Sequence, residues 1–172
     1  ALGGADNKTL NELNKWLNYS YDEENDGFRM WIGDNASAIA TLYGLLIVNL
    51  TNLRPYGFDV KSIFDFLNDT LIRNIDRGEY VDIVSLALLL EVIKIYHQEL
   101  EGTHIGNIRN SILTRLWGFY NSDVGLFYDT DSTTSPIFQT YMAIRAIMST
   151  NESQFNTTIC SKIADGILRH QY

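Results

Sequence analysis

Apolar positions along this chain fall into seven runs at helical spacing, and two kinds of run alternate. Leu10, Leu13, Trp16 and Leu17 predict a short amphipathic helix over 8–19. The polar stretch Asp22–Gly27 breaks it. Residues 37–50 are apolar almost all round, the mark of a helix buried on most sides. Arg54-Pro55-Tyr56-Gly57 is a turn, because proline ends the preceding helix. Residues 59–74 then carry Val60, Ile63, Phe64, Leu67 and Leu71 on one face, with Lys61, Asp65, Asn68 and Asp69 opposite. The alternation continues with an apolar helix over 81–97 and an amphipathic one over 105–120, built on Ile105, Ile108, Ile112, Leu116 and Phe119. Ser135-Pro136 starts a mostly apolar helix over 136–149, since serine caps and proline suits the first helical position. Ile159, Ile163 and Ile167 mark a last helix over 156–171. No run alternates with the period of a strand, so none is expected.

A glycine close to an aromatic opens three of these stretches, at Gly27-Phe28, Gly78-Glu79-Tyr80 and Gly125-Leu126-Phe127, a period of about fifty residues. Such a period predicts stacked helix hairpins. Buried helices ringed by amphipathic ones are the plan of an α/α toroid or curved solenoid. The expected fold is therefore all-α: one partial toroid-like domain over 1–172, with seven helices in the order outer, inner, outer, inner, outer, inner, outer. Both ends are outer helices, as if cut from a longer array or assembly. The apolar faces exposed there should be capped by a protein partner or a second copy.

Asp26-Gly27-Phe28 followed by Ser37-Ala38-Ile39-Ala40-Thr41-Leu42-Tyr43-Gly44-Leu45 resembles the repeat of the prenyltransferase and squalene-cyclase α/α toroid superfamily. Asp123-Val124-Gly125-Leu126-Phe127 with Ile137-Phe138-Gln139-Thr140-Tyr141-Met142-Ala143 is similar to a second copy, and Glu79–Leu88 to a third with a shorter loop. The resemblance implies architecture more than activity, because that superfamily holds enzymes, carriers and non-catalytic lumenal domains.

Net charge is −8 without a Lys/Arg cluster, which argues against nucleic acid and against an anionic membrane surface. No segment has the 18–20 or so uncharged apolar residues of a membrane span. Asn-x-Ser/Thr occurs seven times, at Asn7, Asn18, Asn35, Asn49, Asn68, Asn151 and Asn156, where 15 Asn and 24 Ser/Thr lead one to expect about two by chance. The excess points to N-linked glycans and to an extracellular, cell-surface or lumenal location. Cys160 is the sole cysteine, so an intrachain disulfide is excluded; its neighbours Ile159 and Ile163 predict a buried thiol.

Candidate chemistry is sparse. The resemblance implies an Asp–Cys–His zinc set in prenyltransferases; Asp82 stands where the Asp would fall, but Val84 replaces the Cys, and His97, His104 and His170 fall at helix ends or on outer helices. No metal or cofactor is expected. Asp129-Thr130-Asp131-Ser132 matches two positions of the cyclase acid motif, but reads better as a turn with side-chain to backbone bonds. Phosphate loops, HExxH and Gly-x-Ser-x-Gly are missing. Trp31, Asp34, Asp82, Tyr128, Asp129 and Asp131 lie in loops or at inner-helix starts and are the candidate ligand-binding set, suited to stacking on a sugar and holding its hydroxyls. Phe28, Tyr80 and Phe127 are expected as core, and the acidic run Asp22–Asp26 as solvated. The favoured expectation is a non-catalytic secreted or lumenal glycoprotein scaffold that binds protein partners or itself. The alternative is a toroid-type enzyme acting on a polysaccharide or an isoprenoid.

Overall fold

The structure, a computed structural model, describes residues 6–101, 105–130, 132–150 and 155–170. Asp131, His104 and the sequon at Asn151 lie outside the described residues. The chain divides into two compact units, residues 1–78 with 95–102, and residues 79–94 with 103–172.

In the first unit α1 (Asn7–Ser20) begins at Asp6, whose carboxylate accepts the Thr9 N–H at 2.7 Å and satisfies an otherwise orphaned helix donor. A two-residue hairpin follows, β1 (Tyr21–Asp22) antiparallel to β2 (Gly27–Phe28), with Tyr21 opposite Phe28. Ser37 caps α2 (Ala38–Thr51). The next helix, α3, is continuous: Val60–Leu67, a π-helical turn Asn68–Ile72 and a closing turn Arg73–Arg77. The wider turn carries the buried stripe on from Ile63 and Leu67 to Leu71, Ile72 and Ile75. Gly78 ends α3 at φ 77°.

The second unit holds most of α4 (Ile83–Ile95), all of α5 (Ile105–Gly118), a second hairpin of β3 (Tyr120–Asn121) and β4 (Leu126–Phe127), then α6 (Pro136–Thr150) and α7 (Thr157–Arg169). Tyr120 pairs with Phe127. Along α4, every residue from Ser85 to Ile93 is buried, as its all-round apolar sequence requires. No helix among the described residues is long and apolar enough to cross a membrane.

Among the described residues seven helices stand where the apolar runs predict them, within about three residues at each end. The two hairpins were not expected, and they set the register of the repeat. Tyr21, Phe28 and Thr41 of the first unit correspond to Tyr120, Phe127 and Thr140 of the second, each 99 residues on. In both units the aromatic pair of the hairpin is in contact, at centroid distances of 5.3 and 5.0 Å. In both, the phenylalanine N–H donates to the hydroxyl of a fully buried helical threonine thirteen residues later, at 2.9 Å for Thr41 and 3.0 Å for Thr140. The turns match too: Asp22 and Asn121 side chains accept from backbone N–H groups two residues on, and Asp26 (φ 50°) and Gly125 (φ 79°) close them in the left-handed region. Gly27 and Gly125 are thus not equivalent, contrary to the Gly–aromatic alignment. Glycine is needed at 44 for another reason: a Cβ there would lie 2.4 Å from the Phe28 ring.

Other expectations change. Asp22 is buried, not solvated: Arg29 pairs with it at 2.8 Å and Asn25 donates at 3.0 Å. Burial pushes its carboxyl up, but the bonds from Asn25 and Arg29 outweigh this and hold it below the usual range. Cys160 is exposed, because one helical step of 100° from Ile159 carries it past the buried stripe of Ile163 and Gly166. Only one side of α6 is buried; Phe138, Tyr141 and Met148 are exposed on it.

Two stability changes follow. Thr41→Val and Thr140→Val keep shape but orphan a buried N–H, so each should lower urea-unfolding stability by about 1–3 kcal/mol, whereas Thr→Ser at the same sites should lose less. The second concerns Tyr96, whose hydroxyl donates to the Leu45 carbonyl at 2.8 Å. Burial pushes it up to about 12, with Arg54 pulling down and Glu99 adding to the rise. A phenol raised above its unfolded value of roughly 10 stabilises the fold fully below that pH and stops doing so as pH climbs to about 12. Tyr96→Phe should start less stable, and its urea midpoint should fall less than wild type between about pH 10 and 12.

Candidate functional site

The residues of the second unit's 128–135 loop make the most organised polar site. The hairpin and the Thr140 latch fix where the loop leaves the core. The Thr140 hydroxyl also lies 2.9 Å from the Phe127 carbonyl and 2.8 Å from that of Pro136, and donates to one at a time. Gln139, 1 % exposed, holds the loop at two points. Its Oε1 accepts the Asp129 N–H at 2.7 Å and its Nε2 donates to the Thr134 carbonyl at 2.7 Å. Ser132 N–H returns to the Asp129 carbonyl at 3.3 Å, and Thr134 N–H to the Ser132 hydroxyl at 3.1 Å. The described part of the loop is thus the expected turn.

Asp129 is only 8 % exposed. Its Oδ2 accepts the hydroxyl of Tyr80, whose side of the site is steadied by Arg115 donating to the Glu79 carbonyl at 2.6 Å. Tyr80 is 60 % exposed and is not part of the core as Phe28 and Phe127 are. An open cavity of about 280 Å³ lies beside this group, lined by Phe119, Tyr120, Asn121, Tyr128, Asp129 and Thr130 among others. Asn121 Nδ2 donates to the Tyr128 hydroxyl at 3.2 Å, and burial raises the Tyr120 phenol. Two tyrosines, an amide and a carboxylate around a small open cavity can hold a hydroxylated ligand by stacking and hydrogen bonds.

The other candidates are held by bonds of their own. Asp82 accepts the Ser85 N–H at 3.0 Å and its hydroxyl at 2.6 Å, so it caps α4. Trp31 and Asp34 belong to the first unit, both exposed, on a tight turn closed by Asp34 N–H to the Trp31 carbonyl at 3.1 Å. Among the described residues no three His, Cys, Asp or Glu side chains group as metal ligands. His97 and His170 are exposed just past the ends of α4 and α7. Of the sequon asparagines, Asn7, Asn18, Asn35, Asn49 and Asn156 are exposed and Asn68 is half-buried. Asn156 caps α7 through its oxygen, accepting the Ile159 N–H at 3.0 Å, which leaves its amide nitrogen outside that bond. Sequence reasoning missed Gln139; its signal was a polar residue one position before the latch threonine on an otherwise apolar helix.

Comparison with known proteins finds no matching family model, no matching curated protein and no matching solved structure.

Gln139→Ala should free both ends of the loop and cost about 1–3 kcal/mol, since two buried backbone groups lose their partner. Faster proteolytic cleavage within 129–134, with cleavage of the 29–36 loop unchanged, would show the clamp to be local.

Proposed function

We propose that this chain is a non-catalytic glycoprotein scaffold, a segment of an α/α toroid-type helical array that works outside the cytosol by binding a protein partner or further copies of itself. The observation that carries the reading is the open side of α6, where Phe138, Tyr141 and Met148 are exposed. A repeat array buries such a face against the next element, and an uncovered one marks a binding surface. The carboxylates that would serve catalysis support the same reading, because Asp82 is occupied as a helix cap and Asp129 holds Tyr80. Five exposed sequon asparagines support glycosylation and an extracellular, cell-surface or lumenal place. The likeness to the prenyltransferase and squalene-cyclase repeat supports the array, not an activity.

A second reading rests on the cavity beside Asp129: a toroid-type enzyme or sugar-binding site, with Tyr128 and Asn121 holding a hydroxylated substrate. Isoprenoid chemistry finds less support, since the cavity wall is mainly polar.

Intact mass of these 172 residues secreted from a glycosylating host tests the first reading. A mass well above 19.6 kDa that falls to it after glycan removal is expected; a bare 19.6 kDa chain from a secreting host would overturn the glycoprotein reading. On the same material, Asp129→Asn should leave partner binding unchanged. A substrate turnover abolished by that change would replace the scaffold with the enzyme.

A further inference from the structure

Among the sequon asparagines of the described residues, Asn18 is the one whose side-chain amide is bonded at both ends. It lies exposed in the last turn of α1. Its Oδ1 accepts the Tyr56 N–H at 2.9 Å. Its Nδ2 donates to the Asn14 carbonyl at 2.7 Å and lies 3.3 Å from Asn14 Oδ1. Tyr56 stands at the first central position of a turn that the Phe58 N–H closes on the Pro55 carbonyl at 3.2 Å, with Gly57 at φ 72°. The turn's own bond leaves the Tyr56 N–H over, and Asn18 satisfies it. The plane of the Asn18 amide is therefore fixed from two segments of the first unit, α1 and the 55–58 turn.

That plane sets where a sugar on Nδ2 would go. A glycosylated asparagine is a secondary amide, and such amides strongly prefer the trans form. The trans form puts the new substituent on the oxygen's side and leaves the remaining hydrogen on the Cβ side. That hydrogen can keep the bond to the Asn14 carbonyl, one helical turn back. The sugar takes the side of Oδ1, where the Tyr56 N–H arrives. Tyr56 is 81 % exposed there, and Tyr19, beside Asn18 in the chain, is 64 % exposed. A tyrosine that open adds little to the core of the bare chain. Its ring offers an apolar face to the C–H groups of a pyranose, and its hydroxyl can bond a sugar hydroxyl.

We propose that Asn18 carries an N-linked glycan whose first sugar packs on Tyr56 and joins the end of α1 to the 55–58 turn. The bond forms between Nδ2 and the anomeric carbon of a glycosyl diphosphate donor. The carbon–oxygen bond to the diphosphate breaks, the diphosphate leaves, and Nδ2 gives up one proton. Ser20, the third residue of this sequon, is 5 % exposed, and its hydroxyl lies 2.9 Å from the Trp16 carbonyl and 3.1 Å from that of Leu17. The sequon is sealed once α1 has folded, so attachment precedes folding. This inference rests on the glycoprotein reading and gives one sugar a structural place.

Glycopeptide mapping of the chain secreted from a glycosylating host tests the attachment, and Asn18 should be occupied. Urea unfolding tests the packing. The secreted chain, its glycans trimmed to one sugar, is compared with the bare chain from a bacterial host. Tyr56→Ala should raise the unfolding constant of the trimmed glycoprotein about 3- to 10-fold more than that of the bare chain. Tyr56→Phe should keep most of the difference, because the ring face remains. In the unmutated glycoprotein the first sugar's protons should show ring-current shifts that Tyr56→Ala removes, a readout that needs no bare chain. Asn18 bare while other sequons carry sugar overturns the proposal and leaves the glycoprotein reading standing. No sugar at any sequon overturns both. An occupied Asn18 overturns it as well if Tyr56→Ala acts equally on the two forms or if the sugar protons show no shift.

Discussion

A phenylalanine at the end of a two-residue strand has a backbone N–H that must be buried if its ring is to enter the core. In this chain that need is met twice by the same device, a threonine hydroxyl on the following helix. The penalty for leaving such a donor unpaired is about 1–3 kcal/mol, a sizeable part of the stability of a domain this size. The bond also fixes geometry. It ties the hairpin to the first turn of α2 or α6 and so determines where the loop between them leaves the surface. Ring contacts from Tyr21 and Tyr120, and the close approach of Phe28 to Gly44, act on a frame that the latch has already placed.

With the frame held twice in the same way, the two loops are free to differ. One is polar and clamped by Gln139, with Asp129 buried against the Tyr80 hydroxyl. The other displays Trp31 and Ile32 to solvent. The stretch Gly78–Asp82, expected as a third copy, has no hairpin and leads into α4 through an aspartate cap. A repeat whose skeleton is fixed while its loops vary suits a protein that presents surfaces.

The helices were legible because a buried helix such as α4 is apolar on every face and a half-exposed one such as α3 on only one, and a single chain shows that difference directly. The hairpins were not, because two-residue strands are too short for a period-2 pattern; the matched spacing of Phe28–Thr41 and Phe127–Thr140 was the available signal. The bonds that Asp82 and Asp129 make, a helix cap and a tyrosine hydroxyl, were not legible, since capping and ligand binding draw on the same residue type at the same helix starts. Cys160 was misread because sequence neighbours are 100° apart on a helix, so an isoleucine beside it says little about which side it faces. The exposure of α6 was hidden by composition: an apolar face looks the same in sequence whether another element covers it or not.

Amide hydrogen exchange at Phe28 and Phe127 tests the latch most directly. If the two threonine hydroxyls hold the frame, both amides exchange only when the protein unfolds globally, while Ile32 and Gly33 on the exposed turn exchange orders of magnitude faster. Exchange at Phe28 and Phe127 as rapid as at Ile32 would mean that the hairpins are loose appendages, and the shared framework for the two loops would fall with them.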